Sequence, residues 1–484
     1  MCKDITGLKP ERVWWYFNEI CKIPRISKHE KEILEYLINF ATKHNLNYKQ
    51  DKAGNIVIIK DACNTSKCDK KVVLQSHVDM VAEKKDSDHN FYKDPIEPRI
   101  ENDWVKAKNT TLGADNGIGI ASQLAILESN NIKHGPLECL FTVDEESGLT
   151  GASNLGSEML TGSILINLDS EDEGELFIGC AGGKDTAGIY TPEFEKCPPK
   201  SFGFIFGVKN LKGGHSGDDI DLGHANANKI LIRYINEITK RCDFRLSHIE
   251  GGNLRNAIAR EANAKGIVPW DKKEEVRVIL NCLISDIEEE YKHIEPDIKL
   301  YLESSSLPEK VFTTKFHNRL INTIYALPHG VIKMSSKMEG LVETSTNLAS
   351  IKQQDDNKYV IYTSQRSSVE SSKEDIASMV KAIFHLSGAQ IKETDGYPGW
   401  KPNYSSSILN QAITSYQKLY NKKPKIKAIH AGLECGLFLK KYPHLDMIST
   451  GPTIKKAHSP NEQLLISSVE KYWKHLIDIL ENIN

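Results

Sequence analysis

The chain has 484 residues, of which 39% are hydrophobic, 26% charged and 8% aromatic, an ordinary globular composition with length for two or three domains. Lys and Arg number 62 against 65 Asp and Glu, a net charge of -3, so no overall field favours nucleic acid or an anionic membrane. No apolar stretch approaches the ~20 residues that cross a bilayer. The start, Met1-Cys2-Lys3-Asp4-Ile5, lacks a secretory pattern, so a cytoplasmic protein with reduced cysteines is expected. Cys63 and Cys68 flank a polar loop, with no second pair to complete a zinc set.

In chain order, Pro10 to Glu19 and His29 to His44 read as amphipathic helices, Asn55 to Ile59 and Lys71 to Gln75 as strands, and Gly117 to Leu127 as a helix. Leu137 to Val143 and Ser163 to Leu168 read as further strands. The alternation predicts an α/β layer sandwich with a mainly parallel sheet and flanking helices, whose strand C-termini gather the chemistry. After Gly182-Gly183 the pattern becomes strand, Gly-rich turn, helix, strand, helix, twice over. The helix beginning near His224 and Asn253-Leu254-Arg255-Asn256 are echoed by His317 to Tyr325 and Asn347-Leu348-Ala349, which suggests an inserted α+β domain of two similar halves. From Ser405 the first pattern returns, with Ser405 to Leu419, Ile426 to Ala431, Glu434 to Leu439 and Ser467 to Asn482. The expected organisation is a discontinuous catalytic domain over residues 1–184 and 398–484, with an insert over 185–397.

Polar clusters stand at the ends of the apolar runs. His77 and Asp79 close the run Val72 to Met80 and project from one face. Asp115 precedes Asn116-Gly117, Glu145-Glu146 follow a strand, Asp169 follows Ile166-Asn167-Leu168, and His458 precedes Ser459-Pro460. Singly these read as a helix cap, an exposed acidic turn, a solvated loop and a turn histidine. Together they make the donor inventory of a two-metal hydrolytic site, in which one bidentate carboxylate bridges and each ion takes a histidine and an acid. The numbers match with Asp115 as bridge, His77 and Asp169 on one ion, and Glu146 and His458 on the other. Spacing alone does not settle which acid joins which histidine. Asp79 is then placed to orient His77, and Glu145 to act as general base in amide hydrolysis by a metal-bridging water.

These residues resemble the M20 family of metallopeptidases, within it the aminoacyl-histidine dipeptidase branch, over essentially the whole chain. The likeness is carried by Ser76-His77-Val78-Asp79-Met80, Leu112-Gly113-Ala114-Asp115-Asn116-Gly117, Asp144-Glu145-Glu146-Ser147-Gly148 and Asn167-Leu168-Asp169. It continues through Gly213-Gly214-His215-Ser216-Gly217, Arg255-Asn256-Ala257-Ile258, His430-Ala431-Gly432-Leu433-Glu434 and His458-Ser459-Pro460. Ala82, Ala259 and Asn253-Leu254 depart from the branch pattern, and none is a proposed ligand.

The resemblance implies two zinc ions, or manganese or cobalt, held by His77, Asp115, Glu146, Asp169 and His458. It implies that Asp79 supports the first histidine, that Glu145 is the base, and that the insert is a lid domain. His215 is expected to polarise the scissile carbonyl, and Asn256, Arg366 and Gly432 to hold the substrate's backbone and free carboxylate. The implied activity is hydrolysis of unblocked dipeptides, including Xaa-His dipeptides such as carnosine. The rivals are an amidase of N-acyl amino acids, a tripeptidase and, remotely, a non-catalytic binding protein. A small peptide is the expected partner, and a homodimer is one assembly open to the chain.

Overall fold

Val72–His77 is a strand with all six residues buried, as a β-branched, apolar run between polar loops dictates. It lies parallel to Leu137–Thr142 on one side and to Ile164–Asn167 on the other, and Asp446–Ser449 extends the parallel set past Ile164–Asn167. The computed structural model describes residues 4–63, 70–85, 88–355 and 357–483. Cys68 of the Cys63/Cys68 pair lies outside them. The eight-stranded sheet runs in the order Asn47–Gln50, Ile56–Lys60, Leu137–Thr142, Val72–His77, Ile164–Asn167, Asp446–Ser449, Glu175–Cys180, Lys425–Ile429. Parallel pairs form its centre, and antiparallel pairs border them on both sides.

The helices follow from apolar spacing. Glu11–Cys21 buries Val13, Trp14, Phe17 and Ile20 on one stripe and packs against Ala114–Glu128. Lys31–Lys43 buries Ile33, Leu37, Phe40 and Ala41 at the same period.

The chain divides into two units, Met1–Gly179 with Pro402–Ala428 and Leu433–Asn484, and Cys180–Lys401 with Ile429–Gly432. The first crossing falls at Gly179 rather than near residue 184, because Gly182–Tyr190 is already a strand of the second unit's sheet. The first unit also holds a small sheet in the order Ile454–Lys455, Gln463–Leu465, Trp104–Ala107, Pro98–Glu101, which the sequence reading does not contain. Its strands of two to four residues are too short for periodicity to register. Residues 456–462 are the connection between its first two strands, so this sheet presents His458.

The second unit is built on a nine-stranded sheet. One half runs strand Ser201–Lys209, helix Ala227–Cys242, strands Arg245–Gly251 and Ala262–Pro269, helix Glu275–Tyr291, strand Lys299–Ser304. The other runs strand Gly182–Tyr190, helix Thr314–Ala326, strands Val342–Gln353 and Tyr359–Ser367, helix Glu370–Leu386, strand Gln390–Glu393. In each half the fourth strand lies beside the first, then come the third and the second, the order of a β-α-β-β-α-β split unit. The first half is inserted after the opening strand of the other, and the two join where Gly251 pairs with Ile351. The duplication faintly legible in the sequence is therefore a repeated topology.

Candidate metal centre and ligand-recognition residues

His77, Glu145, Glu146 and Asp169 stand at the C-terminal ends of three adjacent parallel strands, Val72–His77, Leu137–Thr142 and Ile164–Asn167. That edge is where an open α/β sheet exposes loops to a ligand. Asp115 comes from the first turn of Ala114–Glu128, where its backbone is non-helical and its side chain turns to the histidines instead of capping the helix. Glu145 and Glu146 begin a short helix after Asp144, whose φ of 51° makes the sharp exit from the strand.

Asp115 divides its oxygens. Oδ1 lies 3.1 Å from His77 Nε2 and Oδ2 lies 3.1 Å from His458 Nε2. His77 Nε2 is also 3.2 Å from Asp169 Oδ1, and His458 Nε2 is 2.9 Å from Glu146 Oε2. The geometry thus sets Asp169 beside His77 and Glu146 beside His458, while His77, Glu145 and Glu146 also bring ligand atoms within 4.8 Å of one another. Each imidazole nitrogen faces two carboxylates with at most one proton to share. Asp169 Oδ1 and Glu146 Oε1 are buried without a hydrogen bond among the described residues. His77, Asp115 and Asp169, and likewise Asp115, Glu146 and His458, bring ligand atoms within 4.8 Å of one another. Buried oxygens facing nitrogen donors in excess of the available protons suit a divalent cation at each group.

Electrostatics agree with this crowding. Burial opposes charge on His77, but Asp169 and Asp115 raise it well above the usual value. Bonds to Asp115 and Glu146 carry His458 up to about 11. Burial pushes Asp169 up to about 7, with Asp115 and Glu146 adding to it against His77. Burial also lifts Glu145 well above the carboxylate range, opposed by His77 and reinforced by Asp169 and Glu434. Burial would raise Asp115 too, yet His458 and His77 hold it well below the usual range.

Asp79, fully buried, accepts the backbone N–H groups of Glu145 at 3.0 Å and Glu146 at 3.1 Å and the Ser27 hydroxyl at 2.8 Å. Its Oδ1 stands 3.4 Å from His77 Nδ1, long for a hydrogen bond and close enough to orient the ring electrostatically. Burial favours its neutral form, and His77, the Glu145 amide and the Ser27 hydroxyl overcome this to lower its pKa to about 2. One carboxylate therefore ties the turn carrying Glu145 and Glu146 to the strand end carrying His77.

The other site residues lie in the second unit. His215 has Nδ1 engaged, with Asp218 Oδ2 at 3.1 Å and the amides of Gly217 and Asp218 at 3.3 and 3.2 Å, so Nε2 is the nitrogen left for a ligand. The Asn256 carbonyl accepts the Ser216 amide at 2.8 Å, and its side chain is exposed. His430 accepts or donates at Nε2 to Ser345 Oγ at 2.7 Å, and burial, reinforced by the charge of Arg366, lowers its pKa to about 4. Arg366 is only 7% exposed, donates from Nη1 to the Tyr397 hydroxyl at 2.9 Å, and keeps Nε buried without a partner among the described residues. Gly432 lies against the Tyr397 ring. The guanidinium is thus buried beside a neutral hydroxyl, and against the effect of burial its charge joins His215 in lowering the pKa of Asp218.

The model of peptidase family M20/M25/M40 matches residues 73–482. The chain belongs to that family. This M20 chain is 42% identical to the cytosol non-specific dipeptidase of Escherichia coli (strain K12), over 99% of each chain. It superposes with a TM-score of 0.91 on the crystal structure of aminoacylhistidine dipeptidase from Vibrio alginolyticus, also 42% identical, covering 100% of this chain and 98% of that one. A tripeptidase structure from Staphylococcus aureus, at 17% identity, 98% coverage of each chain and a TM-score of 0.57, shares the fold. Membership in this metallopeptidase family makes the chain a hydrolase that uses divalent metal. Among the described residues no helix is long and apolar enough to cross a membrane.

Two residues that hold this M20 site together, Arg25 and Glu462, escaped the sequence reading. Arg25, 2% exposed, donates to the carbonyls of Val78 and Asp79 at 2.9 and 2.8 Å and to that of Gly113, tying the His77 strand end to the Asp115 loop. Gly113 has φ +67°, and a Cβ there would fall 2.6 Å from Arg25 Nη2, so only glycine fits. Glu462 accepts the amides that lead into Asp115. An acid four residues past His458 was the one signal within reach. Glu434, from the His430 motif, accepts Gln75 Nε2 at 2.6 Å and Thr142 Oγ1 at 2.9 Å beneath the strand ends, and burial raises its pKa to about 8.

Proposed function

We propose that this chain is a cytosolic, dinuclear zinc dipeptidase that hydrolyses unblocked dipeptides, Xaa-His dipeptides such as carnosine among them. The observation that carries the reading is Asp115, whose two oxygens each lie 3.1 Å from a different histidine while each histidine meets one further carboxylate. His77, Asp115 and Asp169 would hold one ion, and Asp115, Glu146 and His458 the other. Nitrogen and carboxylate donors suit zinc, and manganese or cobalt fits the same set less selectively. When bound, the ions supply Lewis acidity and a water acidified toward neutral pH.

Glu145, raised by burial, would accept the proton of a water that attacks the scissile carbonyl carbon. The same carboxyl then gives a proton to the departing amine as the C–N bond breaks, leaving two amino acids. Asp79 keeps the His77 ring oriented and fixes the Glu145 turn through two amide bonds. His215 donates from Nε2 to the carbonyl oxygen as negative charge develops there. Arg366 binds the free carboxylate, with Asn256 and Gly432 holding the substrate's backbone. The first unit is then the catalytic domain and the second the lid domain of the family. Full-length relatives named as a cytosol non-specific dipeptidase and an aminoacylhistidine dipeptidase support substrate class and compartment.

Metal analysis and a dipeptide panel on one purified sample test the reading. Two ions per chain and turnover of unblocked dipeptides are expected. Turnover confined to N-acyl amino acids would replace the dipeptidase reading with the amidase one.

A further inference from the structure

Arg366 sits on Tyr359–Ser367, flanked in register by Ser345 on Val342–Gln353 and by Gly183 on Gly182–Tyr190. Ser345 holds His430, and Gly183 makes room for an aromatic ring. A Cβ at Gly183 would fall 2.6 Å from Tyr397 Cε1 and Cζ, and one at Gly432 would fall 2.8 Å from Cε2. The ring is thus seated on two glycines from segments far apart in the chain. Its backbone is pinned as well. Tyr397 N–H donates to Gly183 O at 2.8 Å, Gly183 N–H donates to Tyr397 O at 3.0 Å, and Lys373 Nζ donates to the same carbonyl at 2.8 Å.

Packing alone would be served by phenylalanine. What the hydroxyl adds is the 2.9 Å bond from Arg366 Nη1, which fixes a guanidinium whose Nε has no partner among the described residues. A phenol oxygen that accepts from a guanidinium still has its own proton to donate. Burial raises the Tyr397 pKa against the pull of Arg366, so the proton stays on the oxygen near neutral pH.

We propose that Tyr397 sets the preference of this protein for substrates with a free carboxylate, by holding the Arg366 guanidinium in place and donating its own hydroxyl proton to the same anion. Tyr397 is then a specificity-determining residue, and Gly183 and Gly432 are small because its ring lies on them. The inference rests on the dipeptidase reading and adds to it the residue that distinguishes a carboxylate from its neutral amide.

The test compares wild type and Tyr397→Phe, both metal-loaded and full length, on alanyl-glycine and alanyl-glycinamide. Wild type should prefer the free acid. In Tyr397→Phe the ratio of kcat/KM for acid over amide should fall about tenfold or more, the worth of a hydrogen bond to a charged group. The change should appear in KM, with kcat and metal content held. An unchanged ratio, or acid and amide falling together, overturns the proposal. A wild type that cleaves both equally overturns it too, whereas one that cleaves no dipeptide fails at the dipeptidase reading itself.

Discussion

Glu462 holds Asp115 through the backbone. One carboxylate oxygen of Glu462 accepts the amides of Ala114 at 2.8 Å and Asp115 at 3.3 Å, and the other accepts those of Leu112 at 2.7 Å and Gly113 at 2.9 Å. His458, four residues before Glu462, meets the Asp115 side chain at 3.1 Å. The connection that delivers one imidazole therefore also fixes the carboxylate it shares with the other. In Glu462→Gln an amide NH₂ would face two of those N–H donors, and the loop would lose its common anchor. Metal affinity should fall about 10–100-fold, the usual cost of losing a partner behind a metal ligand. Chelator competition on the purified variant measures this, and wild-type affinity would show that the loop is held without Glu462.

Glu145 and Asp115 should separate chemistry from metal binding. Asp115 stands between two histidines, while Glu145 has an oxygen within 4.8 Å of ligand atoms of His77 and Glu146 but is not grouped with Asp115 or His458. Glu145→Ala should keep two ions per chain and lose about 10²–10⁴-fold in kcat, the range of a general base. Asp115→Ala should release metal together with activity. Metal content and kcat on each variant decide the matter. Retained turnover in Glu145→Ala would remove it from the base role.

His215 is expected to act on the rate rather than on affinity. With Nδ1 occupied by Asp218 and two amides, Nε2 is the nitrogen left for a ligand. His215→Ala should lower kcat about 10²–10³-fold, as the loss of one oxyanion donor does, and change KM far less. An effect confined to KM would make His215 a ground-state contact.

What the sequence disclosed and what it hid divide along physical lines. His77, Asp115, Glu145, Glu146, Asp169 and His458 stood out in the sequence as polar residues at the ends of apolar runs, and the structure brings all six into overlapping groups of possible ligands. Arg25 and Glu462 work on backbone carbonyls and amides, contacts that leave no pattern of side-chain types. Tyr397 was invisible because its partners, Gly183, Arg366 and Gly432, meet it only through the fold. The small sheet that presents His458 was missed for want of length. The repeated halves of the second unit were faint, since the likeness lies in strand order more than in residues.

His317 should make the second unit sensitive to acid. It is 1% exposed, its Nδ1 accepts the Leu246 amide at 3.1 Å, and its Nε2 lies 3.2 Å from Thr239 Oγ1. An accepting Nδ1 requires the neutral ring, with the proton on Nε2 shared with Thr239. Burial, aided by Arg245, lowers its pKa to about 4. The unfolded chain, with histidine near its ordinary value of about 6.5, binds the proton first as pH falls. Its contribution to stability is therefore complete above about pH 6.5 and is lost progressively toward pH 4, on the order of 3 kcal/mol across the window. Other groups titrate over the same range, so the measurement is a difference. Denaturant unfolding of wild type and His317→Gln should show the wild-type advantage shrinking from pH 7 to pH 4.5. An advantage that stays constant with pH would mean that the ring is not neutral in the folded protein.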